Sequence, residues 1–260
     1  MHRFFVSPEL LKESSAIVSL PKELAHQVRD VLRLAPGERL VLLDNSGDEV
    51  LAALDKNSQA GVTVQLLERR AGKSESLVRI ILCQGLLKSA RFEWILEKGT
   101  ESGVAVFAPT MCRRSMVGLE DTGQGKIQRW QRIIREAAEQ SGRSRLPELL
   151  PARPLIHALN DLPQNALAIM PWEEERNRHL RHVLPSVIDS RDTTSSTMSA
   201  RSASPTVTVV LFIGPEGGFM IEEVRLAQRY GVQAVTLGSR ILRAETAALA
   251  TVANIMYALE

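Results

Sequence analysis

The sequence predicts an α/β protein in which a mainly parallel sheet follows a small β-rich domain. From residue 77 onward, strand-length apolar runs alternate with segments of helical periodicity, a pattern typical of a sheet covered by helices on both faces. Before about residue 70, short strands and turns surround one helix, which indicates a compact barrel. The polar stretch Glu68–Ser76 predicts the boundary, so the expected domains are residues 1–72 and 73–260.

Composition narrows the class of protein further. Of the 260 residues, 44% are hydrophobic and 24% are charged, as in soluble globular proteins. Because the net charge is only +2, nucleic-acid binding would require a local basic patch. Cys83 and Cys112 form neither a metal-ligand spacing nor a disulfide framework. No signal-peptide core or membrane-length apolar run is present, so we expect a cytoplasmic protein without a membrane or metal partner.

The amino-terminal domain is predicted to contain one helix and at least three strands. Leu20–Arg33 has helical periodicity and ends before Pro36 and Gly37. Its residues His26, Arg29 and Arg33 are spaced i, i+3 and i+7, which predicts a basic stripe on one side of the helix. Residues 39–43 and 49–54 predict a hairpin, and residues 61–67 a further strand.

The second domain alternates strands and helices along most of its length. The predicted order is strand 77–82, helix 91–102, strand 104–108, helix 126–140, strand 166–170, strand 207–213, a helix from residue 222, strand 232–237 and a final helix. The segment 188–205 is serine-rich and almost without large apolar groups, which predicts a flexible surface insertion. A functional lid is the alternative for this segment.

Two glycine-rich turns follow two of the predicted strands. Val207–Ile213 ends at Gly214–Phe219, and the strand at 232–237 ends at Gly238 and Ser239. We predict that these strands are neighbours, so that both turns bound one ligand site at the carboxyl edge of the sheet. The first turn has the spacing of neither a Walker loop nor a dinucleotide fingerprint. Alone, the first turn could be purely structural, but its pairing with Gly238 favours a binding site.

Charged residues near these turns have two interpretations. Arg243, Glu245 and Thr246 at the start of the last helix could be a capping cluster, or Arg243 could contact a charged substrate. The basic residues elsewhere could each be solvated surface, or together form a phosphate-binding track over both domains. The candidates for this track are His26, Arg29, Arg33, Lys88, Arg113, Arg114 and Arg143.

Several motifs in combination resemble one enzyme family. Phe212–Phe219 followed by Leu237–Ala247 resembles the pair of signature motifs of RsmE-type methyltransferases, which belong to the SPOUT superfamily. The similarity continues through Gln84–Lys88, Glu97–Glu101, Glu136–Arg143, and His26 with Val31–Arg33. The chain departs from the family pattern at the insertion 188–205, and at Gly99 and Ser102, where alanine and leucine are expected.

This resemblance implies the fold, the cofactor and the partners. It implies a SPOUT-type α/β trefoil-knot domain preceded by a small PUA-like β-barrel domain, assembled as a homodimer. It also implies methylation of uridine N3 in 16S rRNA of the small ribosomal subunit with S-adenosyl-L-methionine as the methyl donor. Two alternatives stay open: methylation of another base or a ribose 2′-OH, and a non-enzymatic role as an RNA-binding ribosome-assembly protein.

The resemblance further implies a set of site residues. For the reaction we hypothesise that Arg243 stabilises the uridine anion or orients the cofactor carboxylate. Glu216 or Glu101 could accept the N3 proton, unless a guanidinium lowers the pKa of the imide enough for no base to be needed. The implied cofactor residues are Met170, Pro171, Gly214, Pro215, Glu216, Gly217, Leu237, Gly238, Ile241, Leu242 and Arg243.

Overall fold

The computed structural model describes residues 1–12, 16–115, 123–184 and 207–260. The predicted insertion at 188–205 lies outside these ranges. The chain divides into two compact units, Met1–Glu75 with Ala138–Leu146, and Ser76–Ala137 with Pro147–Glu260. The domain limits 1–72 and 73–260 stay a prediction, and the units differ from them mainly because residues 138–146 group with the amino-terminal unit.

The amino-terminal unit is built on a sheet with strand order β1-β3-β4-β5-β2 in the described residues. The strands are β1 (His2–Phe5), β2 (Ile17–Ser19), β3 (Arg39–Leu43), β4 (Asp48–Ser58) and β5 (Gly61–Ala71). Helix α1 (Lys22–His26) continues as a π-helical turn (Gln27–Val31), and a 3-10 helix spans Pro8–Leu11. The predicted β3–β4 hairpin is confirmed, with Leu42 opposite Val50. Strand β5 extends into the segment predicted as a linker, because its pairing with β4 continues to Ala71.

The second unit is built on a parallel sheet with strand order β12-β10-β11-β6-β7-β8, and β9 pairs with β7. Its strands are β6 (Val78–Gly85), β7 (Val104–Met111), β8 (Glu148–Leu149), β9 (Arg153–Pro154), β10 (Leu167–Pro171), β11 (Val207–Ile213) and β12 (Gln233–Val235). Its helices are α2 (Ser89–Glu101), α3 (Gln124–Ser141), α4 (Leu155–Asn160), α5 (Leu180–Val183), α6 (Ile221–Arg229) and α7 (Ala244–Leu259). The predicted mixed α/β class is therefore confirmed.

Both faces of this sheet are covered by buried apolar side chains. Alternate residues of β11 point to opposite sides: Val209 and Leu211 join one core cluster, whereas Val210 and Phe212 join another. This arrangement explains why the β11 sequence is apolar without interruption. None of the helices in the described ranges has the length and apolar character that a membrane span needs.

The glycine at position 99 has a packing reason in α2. A Cβ atom there would lie 2.9 Å from Cε1 of the buried Phe107 ring, closer than carbon atoms normally approach. Glycine therefore lets α2 lie directly against β7 at this point.

One predicted neighbour relation is wrong. The sequence predicted that β11 and β12 are adjacent, but β10 lies between them and pairs with both. Strand order depends on the path of the crossover connections, which local periodicity does not report. Because all three strands are parallel, their carboxyl ends still meet at the same edge, with Pro171 of β10 in the middle.

Candidate active site

A cavity of about 370 Å³ lies at this edge of the second unit. Three segments bound it: the residues after β10 from Pro171, the first glycine turn (Gly214–Phe219) after β11, and the residues after β12 up to the start of α7. The second glycine turn (Gly238–Arg243) belongs to the third segment. The volume falls within the range of roughly 300–1,000 Å³ that is usual for small-molecule sites.

The first glycine turn is packed closely against the end of β6. A Cβ atom on Gly85 would lie 2.5 Å from the backbone nitrogen of Pro215. On the other side, Arg114 Nη1 donates a 2.7 Å hydrogen bond to the carbonyl of Gly217. Within the turn, Gly218 has a φ of +69°. The backbone of the turn thus lies in close contact with its neighbours, and side chains at the glycine positions would prevent this contact.

The second glycine turn is more open. Gly238 has a φ of +117°, and its Thr236 neighbour donates a 3.2 Å hydrogen bond from Oγ1 to the Gly238 carbonyl. Ile241 is 84% exposed, and Arg243, which precedes α7, is also exposed. Among the described residues, the Arg243 guanidinium has no hydrogen-bond or ion-pair partner. This guanidinium is therefore available to a ligand in the cavity.

Arg91 connects two carboxylates in the cavity wall. Its Nη1 lies 3.3 Å from Glu216 Oε1, and its Nε lies 3.8 Å from Glu245 Oε1. Since Arg91 is 39% exposed, these pairs contribute little net stability, and their effect is mainly to orient the two carboxylates. The second oxygen of Glu245, Oε2, is buried and has no hydrogen-bond partner within the described part of the chain.

Most of the predicted cofactor residues line this cavity. They are Pro171, Gly214, Pro215, Glu216, Gly217, Leu237, Gly238, Ile241, Leu242 and Arg243. Met170 does not line it, because its side chain is 1% exposed and packs in the core with Phe212. Sequence reasoning missed Arg91, Trp172, Glu173, Arg176 and Arg240, and it named Glu245 only as part of the charged cluster at the start of the last helix. Trp172 and Glu173 directly follow a strand end, so the carboxyl-edge rule applied to β10 would have found them.

The two candidate proton acceptors occupy different places. Glu216 lies in the cavity wall beside Arg91. Glu101 pairs with Lys98 at 2.8 Å in the last turn of α2, and the cavity lining does not include it. Because α2 has 13 residues and is about 20 Å long, Glu101 lies far from the helix end that carries Arg91. The position of Glu101 argues against a catalytic role.

Three of the predicted RNA-binding residues lie near the first glycine turn. Arg114 contacts Gly217 as described, and the backbone nitrogen of Arg113 donates a 2.9 Å hydrogen bond to Glu223 Oε1. Lys88 precedes α2, and its backbone nitrogen lies 3.5 Å from Glu216 Oε1. All three side chains are exposed.

In the amino-terminal unit, the predicted basic stripe is not formed as expected. Arg29 Nη2 lies 2.7 Å from Asp30 Oδ2, and this hydrogen bond lowers the pKa of Asp30 to about 2. Arg29 Nη1 also donates to the Ser58 carbonyl at 3.2 Å. Because the helix ends in a π turn and Arg33 has a φ of +53°, the i+7 alignment with His26 is lost. Arg33 is exposed and has no hydrogen-bond or ion-pair partner among the described residues.

Arg143 also differs from its prediction as an RNA contact. It is 7% exposed, and its Nη2 lies 2.8 Å from Glu75 Oε2. The other oxygen of Glu75 accepts hydrogen bonds from the backbone nitrogens of Ser144 and Arg145. Arg143 is therefore part of a buried network in the amino-terminal unit, and its charge is not presented to solvent.

The class of protein follows from comparison with known families. Residues 74–256 match the RNA methyltransferase domain family. This match covers most of the chain, and it includes all three segments that bound the cavity. The chain therefore belongs to the RNA methyltransferase family.

Individual relatives of the chain are also RNA methyltransferases by name. The chain is 30% identical to Ribosomal RNA small subunit methyltransferase E of Bacillus subtilis over 100% of its own length and 98% of the relative. It is 34% identical to the protein of that name from a Synechocystis species, over 100% of this chain and 78% of the relative. The solved structure of Ribosomal RNA small subunit methyltransferase E from Neisseria gonorrhoeae bound to S-adenosyl methionine is similar with a TM-score of 0.81 and 28% identity, covering 99% of this chain and 97% of that one.

Proposed function

We propose that this RNA methyltransferase transfers the methyl group of S-adenosyl-L-methionine to N3 of a uridine in 16S rRNA of the small ribosomal subunit. The observation that carries the proposal is the cavity at the three parallel strand ends, which both glycine turns bound. The names of the relatives and the S-adenosyl methionine in the Neisseria gonorrhoeae structure support it.

The residues of the cavity fit this cofactor. S-adenosyl-L-methionine carries an ammonium, a sulfonium and a carboxylate, so it needs partners of both signs. The cavity wall contains the carboxylates Glu173 and Glu216 and the guanidiniums Arg91, Arg176 and Arg240. The glycine turns bring the backbone to the wall, where no side chain would cover it. We assign cofactor holding to Pro171, Gly214, Pro215, Glu216, Gly217, Leu237, Gly238, Ile241 and Leu242.

The protein has two tasks in the reaction: to position the base and to remove a proton. When bound, the cofactor supplies an electrophilic methyl group on a sulfonium. Uridine N3 carries a hydrogen and lies on the Watson–Crick edge, so the base must be unpaired to present it. The unpaired guanidinium of Arg243 is suited to stabilise the negative charge that develops on the base as the proton leaves.

Exposed basic residues of each unit would contact the phosphates of the substrate. In the second unit, Lys88, Arg113 and Arg114 place positive charge beside the first glycine turn. In the amino-terminal unit, Arg33 is exposed and unpaired with any described residue, whereas Arg29 is held by Asp30. Phosphate contacts of this kind supply affinity and salt dependence but little sequence specificity.

We also propose the finer architecture that the family resemblance implies. The amino-terminal unit would be a PUA-like β-barrel, and the carboxyl-terminal segment a SPOUT-type trefoil knot. The order β12-β10-β11 supports a knot, since the chain must cross the end of β10 to pass from β11 to β12. A homodimer is supported by Tyr257, which α7 leaves 92% exposed beside a groove of about 560 Å³.

Nucleoside mass spectrometry tests the proposed reaction and its product together. Small subunits isolated from cells without this activity are incubated with the purified protein and S-adenosyl-L-methionine, and the 16S rRNA is digested to nucleosides. We expect one equivalent of 3-methyluridine. A 2′-O-methylated nucleoside or another methylated base would contradict the proposal. Parallel reactions on protein-free 16S rRNA determine whether the assembled subunit is the substrate.

A further inference from the structure

Glu245 has an oxygen atom whose hydrogen-bonding capacity is not used. Its side chain lies in the first turn of α7, is 16% exposed and lines the cavity. Oε1 faces Arg91 at 3.8 Å, whereas Oε2 is buried and has no hydrogen-bond partner in the described residues. A buried carboxylate oxygen without a donor is costly, so a ligand that brings an N–H group to Oε2 would be stabilised by pairing with it.

The other carboxylates of the cavity are placed differently. Glu216 Oε1 lies 3.3 Å from Arg91 Nη1 and 3.5 Å from the Lys88 backbone nitrogen. Glu173 lies against the first glycine turn, where a Cβ atom on Gly218 would come within 2.6 Å of its Oε1. Among the described residues that line the cavity, Glu245 alone combines a buried carboxylate oxygen with the lack of any donor.

We infer that Glu245 accepts the N3 proton of the target uridine, an inference that rests on the proposed function. The imide edge of uracil presents one N–H donor between two carbonyl acceptors. Glu245 Oε2 offers one acceptor and Arg243 offers donors, and both side chains line the same cavity. The pair thus complements an imide. An ammonium group would instead need several acceptors, and one unpaired oxygen does not provide them.

The same contact would select uridine over cytidine. Neutral cytidine carries no hydrogen on N3, so its ring nitrogen would face the Glu245 oxygen with two lone pairs opposed and no proton between them. Leaving buried polar groups unpaired in this way is an effective means of rejecting an analogue. Glu245 would therefore both recognise and deprotonate the base.

The step balances without an additional reactant. The N3–H bond breaks and the proton moves to Glu245 Oε2, which leaves the electron pair on N3. N3 then forms a bond to the methyl carbon as the methyl–sulfur bond breaks, and that electron pair stays on sulfur as a neutral thioether. Glu245 returns the proton to solvent before the next turnover.

The test is Glu245→Gln, with Glu222→Gln as the matched control. Glutamine keeps the size of the side chain but does not accept the proton, and Glu222 is an exposed carboxylate of α6 outside the cavity lining. For Glu245→Gln we expect the single-turnover rate of 3-methyluridine formation to fall at least about 100-fold. Binding of S-adenosyl-L-methionine by calorimetry and of RNA by anisotropy should change less than about twofold, as for the control.

Rates measured at several pH values distinguish a catalytic role of Glu245 from a purely structural one. The methylation rate of the Glu245→Gln variant should rise steeply with pH, because solvent then deprotonates more of the uridine. The ratio of the wild-type rate to the variant rate should therefore shrink as the pH rises. Arg91, Glu173, Arg176, Glu216, Arg240 and Arg243 also line the cavity, but they are present in both proteins. A weakened cofactor affinity, or an unchanged rate, overturns the inference alone. A wild-type protein that forms no 3-methyluridine overturns the proposed function and this inference with it.

Discussion

The two glycine turns bound one cavity but are held in place by different means. At the first turn, close approach requires glycine at position 85 of β6, because a Cβ atom there would lie 2.5 Å from the Pro215 nitrogen. Within the turn, a Cβ atom on Gly217 would lie 3.1 Å from Arg114 Cβ, a tight contact. In the second turn, a Cβ atom on Gly238 would meet nothing within 4 Å among the described residues, and the φ of +117° is what requires glycine.

The first glycine turn is therefore the sterically fixed side of the cavity, whereas the second turn carries the exposed side chains that could take part in the reaction. The first turn is packed between β6 and Arg114, so its position is set by steric contact. The second turn has open space around it and presents Ile241 and Arg243 to solvent. Substitutions in the first turn should therefore act through stability, whereas side-chain substitutions in the second should act on the reaction.

The largest expected effect is that of Arg243→Ala in the open turn. Loss of a donor aimed at developing negative charge should lower kcat/KM for methyl transfer at least about 100-fold. Because the Arg243 side chain is exposed, the free energy of unfolding should change by less than about 0.5 kcal/mol. Kinetics of methyl incorporation and chemical denaturation measure the two quantities. Arg229→Ala, an exposed arginine of α6, is the control, and an equal loss in both variants would remove Arg243 from the mechanism.

Gly85→Ala tests the packed turn. The added methyl group would overlap backbone atoms of Gly214 and Pro215, so the free energy of unfolding should fall by about 2 kcal/mol and cofactor affinity should weaken as the turn is displaced. Denaturant titration and calorimetry measure these changes. Gly125→Ala adds the same methyl group in α3 where nothing lies within 4 Å, and it should be neutral or slightly stabilising. A tolerated Gly85→Ala would show that the first turn is adaptable.

Gly238→Ala tests the open turn in the same way, with a smaller effect. Alanine has room at this position, but its backbone is strained at the observed φ, so the loss of stability should be about 1–2 kcal/mol. The matched control is Gly231→Ala, which has a φ of +83° and equally open surroundings outside the cavity lining. Both variants should lose stability, but cofactor affinity should fall only for Gly238→Ala. Equal affinities would separate Gly238 from cofactor binding.

The amino-terminal unit likewise contains one arginine that is paired, Arg29, and one that has no partner among the described residues, Arg33. Substituting Arg33 is the prediction with the smallest expected effect. Arg33→Ala should weaken RNA binding a few-fold and reduce the slope of log affinity against log salt by about one. Arg29→Ala should change the slope less, because Asp30 already neutralises that guanidinium. Fluorescence anisotropy at several salt concentrations measures both slopes. Equal slopes for wild type and Arg33→Ala would mean that this residue contacts no phosphate.

Much of the secondary structure could be predicted, because local patterns decide it. The predicted limits of Val207–Ile213 and Arg39–Leu43 agree with the structure. The strands β6 and β7 extend three residues farther than predicted, to Gly85 and Met111. The apolar runs end earlier there, but pairing between the two strands continues through Gly85 and Thr110.

The candidate site was predictable only in part. The glycine turns could be assigned to one cavity because parallel strands end at the same edge of a sheet. Arg91 could not be assigned to the cavity from the sequence, since its position beside Glu216 and Glu245 depends on how α2 packs against the sheet. Likewise, Arg29 and Arg143 look alike as basic residues in the sequence, and only their partners Asp30 and Glu75 reveal that both are engaged.

The amino-acid sequence by itself determined the α/β class and the strand that leads into the first glycine turn. The tertiary structure decided that β10 lies between β11 and β12, and that Glu245 keeps a buried oxygen without a donor in the described residues. The physical reason is the distance along the sequence over which each kind of interaction acts. Periodicity and backbone preference act over a few neighbouring residues, whereas strand order and the pairing of charges depend on contacts between residues more than a hundred positions apart, such as Arg91 and Glu245.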